Sequence, residues 1–590
     1  MEKSTKKCRY IYLVVILLVC ILMVYAAGCT SKQPSVNKID DWEEETISNY
    51  EDSANTGQSQ SRVVTTESSA PVVVQPTKPE VNVEIPPSRL ENIGFSAGGA
   101  KDIMNFRENI RNDYLPLPTD VTYEGLFYDY YFDTGESEKC NELFCPSYSY
   151  AVTDDPFSGE SEYYLSVGLN SGMKESDFKR KKLNLVIVLD ISGSMKSPFD
   201  RYYYDGFGIR QQIPEEEANK EKIEIATESI VTLLDHLNDD DLFGMVLFNN
   251  DARLAKPLNP VEITDMDAIK DHILEITAYG GTHLSAGMEM ATDLFNELTE
   301  VSPEKYENRI IFLTDAMPNI GDISSSGLLG MTEDNADNRI YTTFIGIGLD
   351  FNTELVEYIT KIRGANYYSV HSAGQFRGRM DDEFEYMVTP LVFDLQLSLG
   401  SDDWEIEEVY GSPEADRATG ELMKVNTLFP AKKRNDETRG GIVLLKLEKT
   451  GNDNQLSLIA SYEDRNGNEH QNEVTVELDE VDTDFFENSG IRKGILLSRY
   501  ADLLKNWMID EREHADYSHP WEPRINEGTG ICVPPRPRLN QWERQSLPLT
   551  VAEPYRKLFG LFYRYFEEEI DNIGDNDLQQ ELDILDILKS

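Results

Sequence analysis

The sequence contains little cysteine and few basic residues for its length. Only six of its 590 residues are cysteine, too few for a small disulfide-stabilised scaffold of the secreted type. Lysine and arginine together number 55 against 106 aspartates and glutamates, which gives a formal charge of −51. Such a chain is repelled by a phosphate backbone unless basic residues are concentrated in a patch, and the sequence has no such patch. We therefore exclude nucleic acid as a partner.

A long hydrophobic run occurs near the N-terminus. Four basic residues between positions 3 and 9 precede the apolar run 10–27. Positive charge followed by an apolar stretch is the order found in secretory signal peptides. We therefore predict that residues 1–28 are a signal peptide and that the rest of the chain lies outside the cytoplasm.

The apolar run ends in Ala26-Ala27-Gly28-Cys29. This tetrapeptide resembles a bacterial lipobox, in which a small residue precedes a cysteine that is diacylated and becomes the mature N-terminus. The resemblance implies lipid attachment at Cys29 and a lipoprotein anchored to the cell membrane. The alternative is an uncleaved membrane helix, because a run of about 18 residues reaches the lower limit for crossing ~30 Å of hydrocarbon.

Three cysteines follow Cys29, namely Cys140, Cys145 and Cys532. Cys140 and Cys145 are close enough in sequence to form a disulfide in an oxidising compartment. Two free, buried thiols are the alternative, and the sequence leaves both open.

Length and composition divide the chain into several regions. A chain of this length exceeds what one hydrophobic core usually organises, so two to four domains are expected. Residues 29–88 are rich in Ser, Thr, Gln, Pro and acidic side chains and are predicted to form a disordered tether. The other predicted regions are an N-terminal region with an aromatic segment and a strand at 89–181, an α/β domain at 182–392, a β-sandwich at 393–482 and a helical C-terminal region at 483–590.

Strands and helices alternate through the predicted α/β domain, which is typical of a parallel sheet covered by helices on both faces. Five or six such strands form one doubly wound domain. Strands are predicted at 185–189, 242–248, 310–313, 341–347 and 366–370. Helices are predicted at 223–237, 266–276, 284–298, 355–362 and 376–392.

Antiparallel strand patterns lie on both sides of the α/β domain. Residues 456–462 and 474–478 are joined across Asn466-Gly467, a strong hairpin signal. Residues 163–169 show strand alternation before the α/β domain begins. We therefore predict that the α/β domain is inserted into a β-sandwich, with a separate sandwich after it as the alternative.

The chain ends in sequence with helical periodicity. One predicted helix has an apolar face formed by Leu496, Tyr500, Leu503 and Trp507. In the acidic final stretch, Leu578, Leu582 and Leu585 recur at helical spacing. This spacing predicts a packed helix with a solvated acidic face rather than an acidic interaction tail.

Three loops of the α/β domain carry side-chain oxygens. The strand 185–189 runs into Asp190-Ile191-Ser192-Gly193-Ser194, a glycine loop before a helix carries Thr282, and the strand 310–313 is followed by Thr314-Asp315. Loops that follow neighbouring parallel strands meet at one sheet edge, where open α/β sheets bind ligands. Mg²⁺ favours six oxygens at about 2.1 Å and keeps several waters. The sequence therefore predicts a divalent-metal site formed by Asp190, Ser192, Ser194, Thr282 and Asp315.

This set of five residues resembles the metal-ion-dependent adhesion site of von Willebrand factor type A (VWA) domains, which consists of Asp-x-Ser-x-Ser, a distant Thr and a distant Asp. The resemblance implies that Ser192, Ser194 and Thr282 coordinate the metal directly, whereas Asp190 and Asp315 act largely through water. It also implies Mg²⁺ as the cofactor, with Mn²⁺ or Ca²⁺ able to replace it. A carboxylate from a partner protein would then complete the coordination shell.

Two features depart from the usual VWA pattern. Ala316 follows Asp315 where glycine is common, and residues 197–220 form an insertion after the first metal loop. The aromatic residues of this insertion could border the ligand surface or belong to a mobile surface loop. The whole chain, with its segment 116–127 and its helical tail, resembles the YfbK-like group of bacterial VWA lipoproteins, and that likeness implies no established ligand.

Together these features predict a binding function. The leading hypothesis is an extracytoplasmic, lipid-anchored binding or adhesion protein whose metal site recognises an acidic group on a protein ligand. The alternative is an envelope assembly or scaffolding protein in which the metal is structural and the aromatic segment and helical tail are the contact surfaces. The sequence contains no nucleophile elbow, metalloprotease helix or phosphate loop, so we expect no enzymatic activity.

Overall fold

A computed structural model of the chain describes residues 38–43, 92–101, 104–111, 113–135, 141–197, 220–296, 298, 305–315, 327–347, 361–370, 373–381, 383–400, 403–413, 422–478, 481, 483–514 and 547–590. These residues form a doubly wound α/β domain, an antiparallel β-sandwich and a C-terminal helical region, which confirms the predicted fold class.

Strands and two helices precede the α/β domain. They are β1 Asn92–Ala97, β2 Gly99–Ala100, α1 Met104–Arg111, β3 Tyr114–Leu115, α2 Tyr123–Tyr128, β4 Tyr131–Phe132, β5 Ser147–Asp154, β6 Ser161–Gly168 and β7 Asn170–Lys174. The α/β domain contains β8 Lys182–Asp190, α3 Lys222–Leu234, β9 Leu242–Phe248, β10 Ala252–Pro260, α4 Met266–Leu274, α5 Leu284–Asn296, β11 Tyr306–Thr314, α6 Leu328–Asp337, β12 Ile340–Ile347, β13 Asn366–Val370, α7 Ala373–Asp381 and α8 Phe384–Met387.

The elements after the α/β domain are strands followed by three helices. They are β14 Val392–Leu399, β15 Trp404–Tyr410, β16 Leu422–Ala431, β17 Lys433–Arg434, β18 Glu437–Arg439, β19 Ile442–Lys449, β20 Gln455–Asp464, β21 Glu469–Glu477, β22 Phe485–Phe486, α9 Ser489–His514, β23 Leu547–Pro548, α10 Glu553–Ile573 and α11 Gln579–Leu588.

A seven-stranded sheet with the order β10-β9-β8-β11-β12-β13-β2 forms the centre of the α/β domain. Its strands are parallel except β10, which is antiparallel to β9. Along β8, Leu185, Ile187 and Leu189 pack on the side of α3 and α4. Val186 and Val188 pack on the side of α5 and α6. A strand buried on both faces needs this continuous apolar run, and the run places the carboxyl end of β8 at the middle of a sheet edge.

Several elements of the α/β domain differ from the prediction. The helix predicted at 376–392 is divided into α7 and α8 and ends before Pro390, because proline lacks a backbone donor and disfavours a helical residue before it. Strand β10 was not predicted, and it lies at the edge of the sheet, where a strand tolerates prolines such as Pro257 and Pro260. The helix predicted at 355–362 lies mostly outside the described residues.

Two antiparallel sheets form the β-sandwich, with the orders β21-β20-β14-β16-β1-β7 and β15-β19-β6-β5-β22. Strands β1, β5, β6 and β7 precede the α/β domain in the chain, and the other strands follow it. Leu165 and Leu445 of one sheet share a hydrophobic core with Leu397 and Val425 of the other. The α/β domain is therefore inserted into the sandwich, which is the arrangement favoured from the sequence.

The C-terminal helices pack against the aromatic segment of the N-terminal region. Phe127 and Phe132 share one hydrophobic core with Trp507 of α9 and with the predicted apolar positions of α11 and the turn before it. Leu578, Leu582 and Leu585 are all buried. The acidic final stretch is therefore a packed helix, as predicted.

A short part of the predicted tether lies against the α/β domain. The backbone of Ile39 pairs with that of Thr264, and the amide of Ile39 donates to the carbonyl oxygen of Ile263 at 2.8 Å. The structure thus differs from the tether prediction over residues 38–43, while the rest of that region and the predicted signal peptide lie outside the described residues. No helix in the described part of the chain is long and apolar enough to cross a membrane.

Cys145 is buried and disulfide-bonded. Cys140, which the sequence offered as a partner, lies outside the described residues. Because disulfides persist in oxidising compartments, the bonded state of Cys145 agrees with the predicted export of the chain.

Candidate metal centre

Asp190 is the last residue of β8, and its carboxylate is held by two neighbouring groups. Its Oδ1 accepts a hydrogen bond from the backbone amide of Ser192 at 2.7 Å. Its Oδ2 accepts one from the hydroxyl of Thr314, at the end of the adjacent strand β11, also at 2.7 Å. The side chain is fully buried. Strands β8 and β11 together therefore fix both carboxylate oxygens.

Ser192, Ser194 and Asp315 form a continuous group of oxygen atoms beside Asp190. The Oγ atoms of Ser192 and Ser194 are 2.9 Å apart, and Ser194 Oγ donates to Asp315 Oδ1 at 2.7 Å. Adjacent ligands in an octahedral Mg²⁺ complex are about 3.0 Å apart when each lies ~2.1 Å from the metal. The spacing of these oxygens therefore fits the coordination of one small divalent cation.

The loop that carries Thr282 is seated against the first metal loop. The amide of Gly193 donates to the carbonyl oxygen of Gly280 at 2.9 Å, and the amide of Tyr279 donates to that of Ile191 at 2.6 Å. Gly280 has a φ of +86°, a backbone conformation that glycine adopts without strain. Thr282 follows this contact in the chain, is exposed and lies two residues before α5.

Asn249 and Asn250, which the sequence analysis did not single out, position the Thr282 loop. The side-chain amide of Asn249 donates to the carbonyl oxygen of Tyr279 at 3.1 Å. The side-chain oxygen of Asn250 accepts from the amide of Gly281 at 2.9 Å. A Cβ on Gly281 would lie 2.5 Å from that oxygen, so a larger residue there would displace the Asn250 side chain from this hydrogen bond. Both asparagines directly follow strand β9, and that position is the signal that could have identified them.

Lys222 is a further member of the site that the sequence analysis missed. Its ammonium lies 3.0 Å from Asp315 Oδ2, and the two side chains are only 2% and 1% exposed. Lys222 is the first residue of α3, where the helix dipole favours acidic rather than basic side chains. A lysine at that position is the sequence signal that could have identified this residue.

The surroundings of Asp190 disfavour its charged form. Burial, with a smaller contribution from the neighbouring Asp315, raises the pKa of Asp190 to about 7. A cation placed between the carboxylates would favour their ionised forms. Among the described residues, no group of three or more His, Cys, Asp or Glu side chains is arranged to hold a metal. A metal here would be held by the hydroxyl oxygens of Ser192 and Ser194, with the carboxylates of Asp190 and Asp315 beside them.

The predicted insertion begins and ends beside this site. The amide of Lys222 donates to the carbonyl oxygen of Ser197 at 3.0 Å, so the two ends of the insertion lie close together. Residues 198–219 and Ala316 lie outside the described residues. The role of the aromatic residues in the insertion therefore stays a prediction.

Comparison with known proteins identifies the domain that carries the site. Residues 185–317 match the family model for the von Willebrand factor type A domain. The chain is 23% identical over 212 residues to inter-alpha-trypsin inhibitor heavy chain H4 of Homo sapiens, a match that covers 35% of this chain and 20% of the relative. It is 22% identical over 219 residues to heavy chain H2 of Mus musculus, covering 36% and 21%. The chain thus contains a VWA domain and spans about a fifth of the length of these relatives.

A solved structure, the von Willebrand factor type A protein from Catenulispora acidiphila, aligns with 70% of this chain and 98% of its own. The sequence identity is 13% and the TM-score is 0.38. At these values the likeness supports no inference about function.

Proposed function

We propose that this chain is an extracytoplasmic, lipid-anchored binding protein that recognises an acidic group on a protein ligand through a metal held by Asp190, Ser192, Ser194, Thr282 and Asp315. The observation that carries the proposal is the cluster of side-chain oxygens around the half-buried Ser194, spaced as ligands of one small cation. VWA domains commonly mediate metal-dependent protein binding. We propose Mg²⁺ as the metal, with Mn²⁺ or Ca²⁺ able to replace it.

The charges around the site favour an acidic ligand. The serine and threonine hydroxyls are neutral, and the buried ammonium of Lys222 already compensates Asp315. A divalent cation held there would leave the site with a net charge of about +1. A carboxylate from a partner would neutralise this charge and add an oxygen ligand to the metal.

The sequence supports placement outside the cytoplasm. The basic and then apolar N-terminus, the lipobox-like residues before Cys29, and the likeness to YfbK-like lipoproteins all favour export followed by lipid attachment. The disulfide at Cys145 agrees with an oxidising compartment. We also propose that the chain binds rather than catalyses, because Asp190 and Asp315 are already engaged by Thr314, Ser194 and Lys222.

The scaffolding alternative is weakened by the packing of its expected contact surfaces. In that alternative, the aromatic segment and the helical tail would bind other envelope proteins. Phe127 and Phe132 are instead buried against α9, and Leu582 of α11 is buried in the same core. The scaffolding alternative also gives the metal a structural role, but the ion pair between Lys222 and Asp315 already stabilises these loops without a metal.

Crosslinking in the native membrane separates the two functions. The wild-type chain and the Ser194→Ala and Lys196→Met variants are crosslinked with Mg²⁺ or with chelator. The proposal predicts a partner that requires Mg²⁺, is lost in Ser194→Ala and is retained in Lys196→Met, since Lys196 is exposed in the same loop. A partner retained in chelator and in Ser194→Ala would favour the scaffolding function instead.

A further inference from the structure

Residues 38–43, which we call the docking segment, are bound along one edge of the VWA domain. The amide of Asp265 donates to the carbonyl oxygen of Ile39 at 2.8 Å, and the amide of Glu43 donates to that of Ala255 at 2.9 Å. Together with the pairing of Ile39 and Thr264, these bonds attach both ends of the segment to strand β10 and the turn that follows it.

The side chains of the docking segment make specific contacts. Trp42 is 8% exposed and belongs to the hydrophobic core that contains α3 and α4. Its ring stacks on that of His272 with the centroids 5.4 Å apart. Asp40 Oδ2 lies 3.0 Å from His272 Nε2, so the residues on both sides of Asp41 contact the same helix. A solvated tether would make none of these contacts. The docking segment is therefore packed against the VWA domain.

Asp41 compensates a buried lysine of the VWA domain. Its Oδ2 lies 3.1 Å from Lys256 Nζ, whose side chain is fully buried, and 2.7 Å from Asn259 Nδ2. Lys256 Nζ also donates to the carbonyl oxygens of Phe243 and Pro257. Lys256 would lose its carboxylate partner if the docking segment left, and a buried charge without a partner is strongly destabilising.

The position of the docking segment relative to the metal site follows from the strand pairing. Pro260, at the end of β10, pairs with Leu242, the first residue of β9. Asp190 pairs with Phe248, the last residue of β9. Ile39 therefore binds near the end of the sheet where β9 begins, whereas the metal site lies at the opposite end, where β8 and β9 finish. Strand β9 has seven residues, so the two ends are about 20 Å apart.

The docking segment also shortens the connection to the proposed lipid anchor. Cys29 and Lys38 are nine residues apart, a length of chain that spans at most about 32 Å. Without docking, the first element of the folded region would be β1 at Asn92, and 63 residues could span up to about 220 Å.

We propose that residues 38–43 act as an intramolecular latch that holds the VWA domain close to the membrane with its metal edge directed away from the bilayer. The segment that binds β10 and the turn after it is part of the same chain as the VWA domain. The membrane part of this proposal rests on the lipid anchor of the proposed function, whereas the latch itself does not.

Distances between spin labels, measured from the N-terminal end of the docking segment, test the latch in the absence of lipid. In the full-length chain, with Cys8, Cys20, Cys29 and Cys532 replaced by serine, spin labels are placed at residue 38 and at either residue 262 or residue 196. Glu262 lies next to the docked segment, and Lys196 lies at the metal edge. We expect narrow distributions, with the distance to residue 196 longer by about 20 Å.

The latch variant combines Asp41→Asn with Trp42→Ala. We expect both distributions to broaden to those of a flexible chain of about 40 Å r.m.s. length and to become similar to each other. The control combines Tyr50→Ala with Asp52→Asn, the same types of change outside the docking segment, and should leave the distributions narrow. Amide exchange in β8, measured in parallel, verifies that the latch variant keeps its VWA domain folded.

Two results would overturn the latch. One is a wild-type chain with broad, similar distributions at both positions, and the other is a latch variant that keeps the wild-type distributions. Flotation of the wild-type chain, with Cys29 intact, on phosphatidylglycerol vesicles tests the anchor separately. A chain that is latched but does not float would disprove the lipid anchor and the membrane orientation while retaining the latch.

Discussion

Lys222 and Asp315 form a buried ion pair inside a site that also fits a divalent cation. The ammonium and the metal would both compensate the same carboxylate, and like charges at close range repel each other. We therefore expect the ion pair to stabilise the metal-free loops and to oppose metal uptake. This competition would set how strongly the stability of the fold depends on a bound metal.

Replacement of Lys222 by methionine tests this competition. We expect the metal-free variant to be less stable than the wild type by about 3 kcal/mol, because Asp315 loses its buried partner. Mg²⁺ should raise the unfolding temperature of the variant by more than that of the wild type. Thermal unfolding with Mg²⁺ and with chelator measures both effects, and Lys196→Met, which changes an exposed lysine of the first metal loop, is the control. Equal stability of wild type and Lys222→Met in chelator would show that the ion pair has no such role.

The predicted metal residues could be identified from sequence because each lies at the end of a recognisable element. Asp190 and Asp315 follow apolar strands, and Thr282 lies in a glycine loop before a helix. Lys222 could not be placed in the same way, because its partner Asp315 is 93 residues away and only the folded sheet brings them together. The pairing of Trp42 with His272 was not predicted for the same reason.

At the scale of elements, helix α9 contains a half-buried carboxyl. Asp502 accepts a hydrogen bond from Tyr123 of α2 at 2.5 Å. Burial, only partly offset by this hydrogen bond, raises the pKa of Asp502 to about 6. The folded state therefore binds the proton more tightly than the unfolded state between about pH 4 and pH 6. Stability from this group is present at low pH and is lost as the pH rises through that window.

The variant Asp502→Asn should remove this pH dependence. Its amide oxygen can still accept the bond from Tyr123, while no charge needs to be buried. Above pH 6 we expect the variant to be more stable than the wild type, by on the order of 3 kcal/mol at pH 7. Unfolding temperatures from pH 4 to pH 8 measure the difference. Asp510→Asn, which changes an exposed aspartate of the same helix, is the control. A constant difference across the range would contradict the assignment to Asp502.

Strands were predicted correctly where the apolar pattern of the sequence matches the burial of the strand in the structure. Strands β8 and β9 are buried and apolar, and the sequence places them within a few residues of their observed bounds. The prediction missed β10, because the position of this strand in the sheet decides whether it can form. Strand β10 tolerates Pro257 and Pro260 because it is the edge strand of the sheet, and no local signal indicates which strand will be at the edge.

At the scale of the whole molecule, segments distant in sequence form common cores. The sandwich combines strands from before and after the VWA domain, and the last helix packs on the first. Arg107 of α1 is fully buried and pairs with Glu581 of α11 and with Asp129. The hairpin and strand patterns of the sequence predicted the sandwich. No feature of the sequence predicted the contact between the first helix, α1, and the last helix, α11.

The variant Glu581→Gln tests the connection between the two ends of the described chain. It leaves the buried guanidinium of Arg107 with Asp129 as its remaining carboxylate, and we expect a loss of about 3 kcal/mol in the stability of the helical region. Amide hydrogen exchange should become faster in α1 and α11 and remain unchanged in β8. Glu568→Gln, an exposed acid of α10, is the control. Unchanged exchange in α1 and α11 would show that the ion pair does not hold these helices together.

The metal site is tested most directly by isothermal titration of the full-length protein in detergent with Mg²⁺. We expect one ion per chain in the wild type, no measurable uptake in Asp190→Ala and Thr282→Ala, and normal uptake in His283→Ala, an exposed neighbour of Thr282. Circular dichroism of each variant verifies the fold. No uptake by the wild type, or the same uptake in all three variants, would contradict a metal centre formed by these residues.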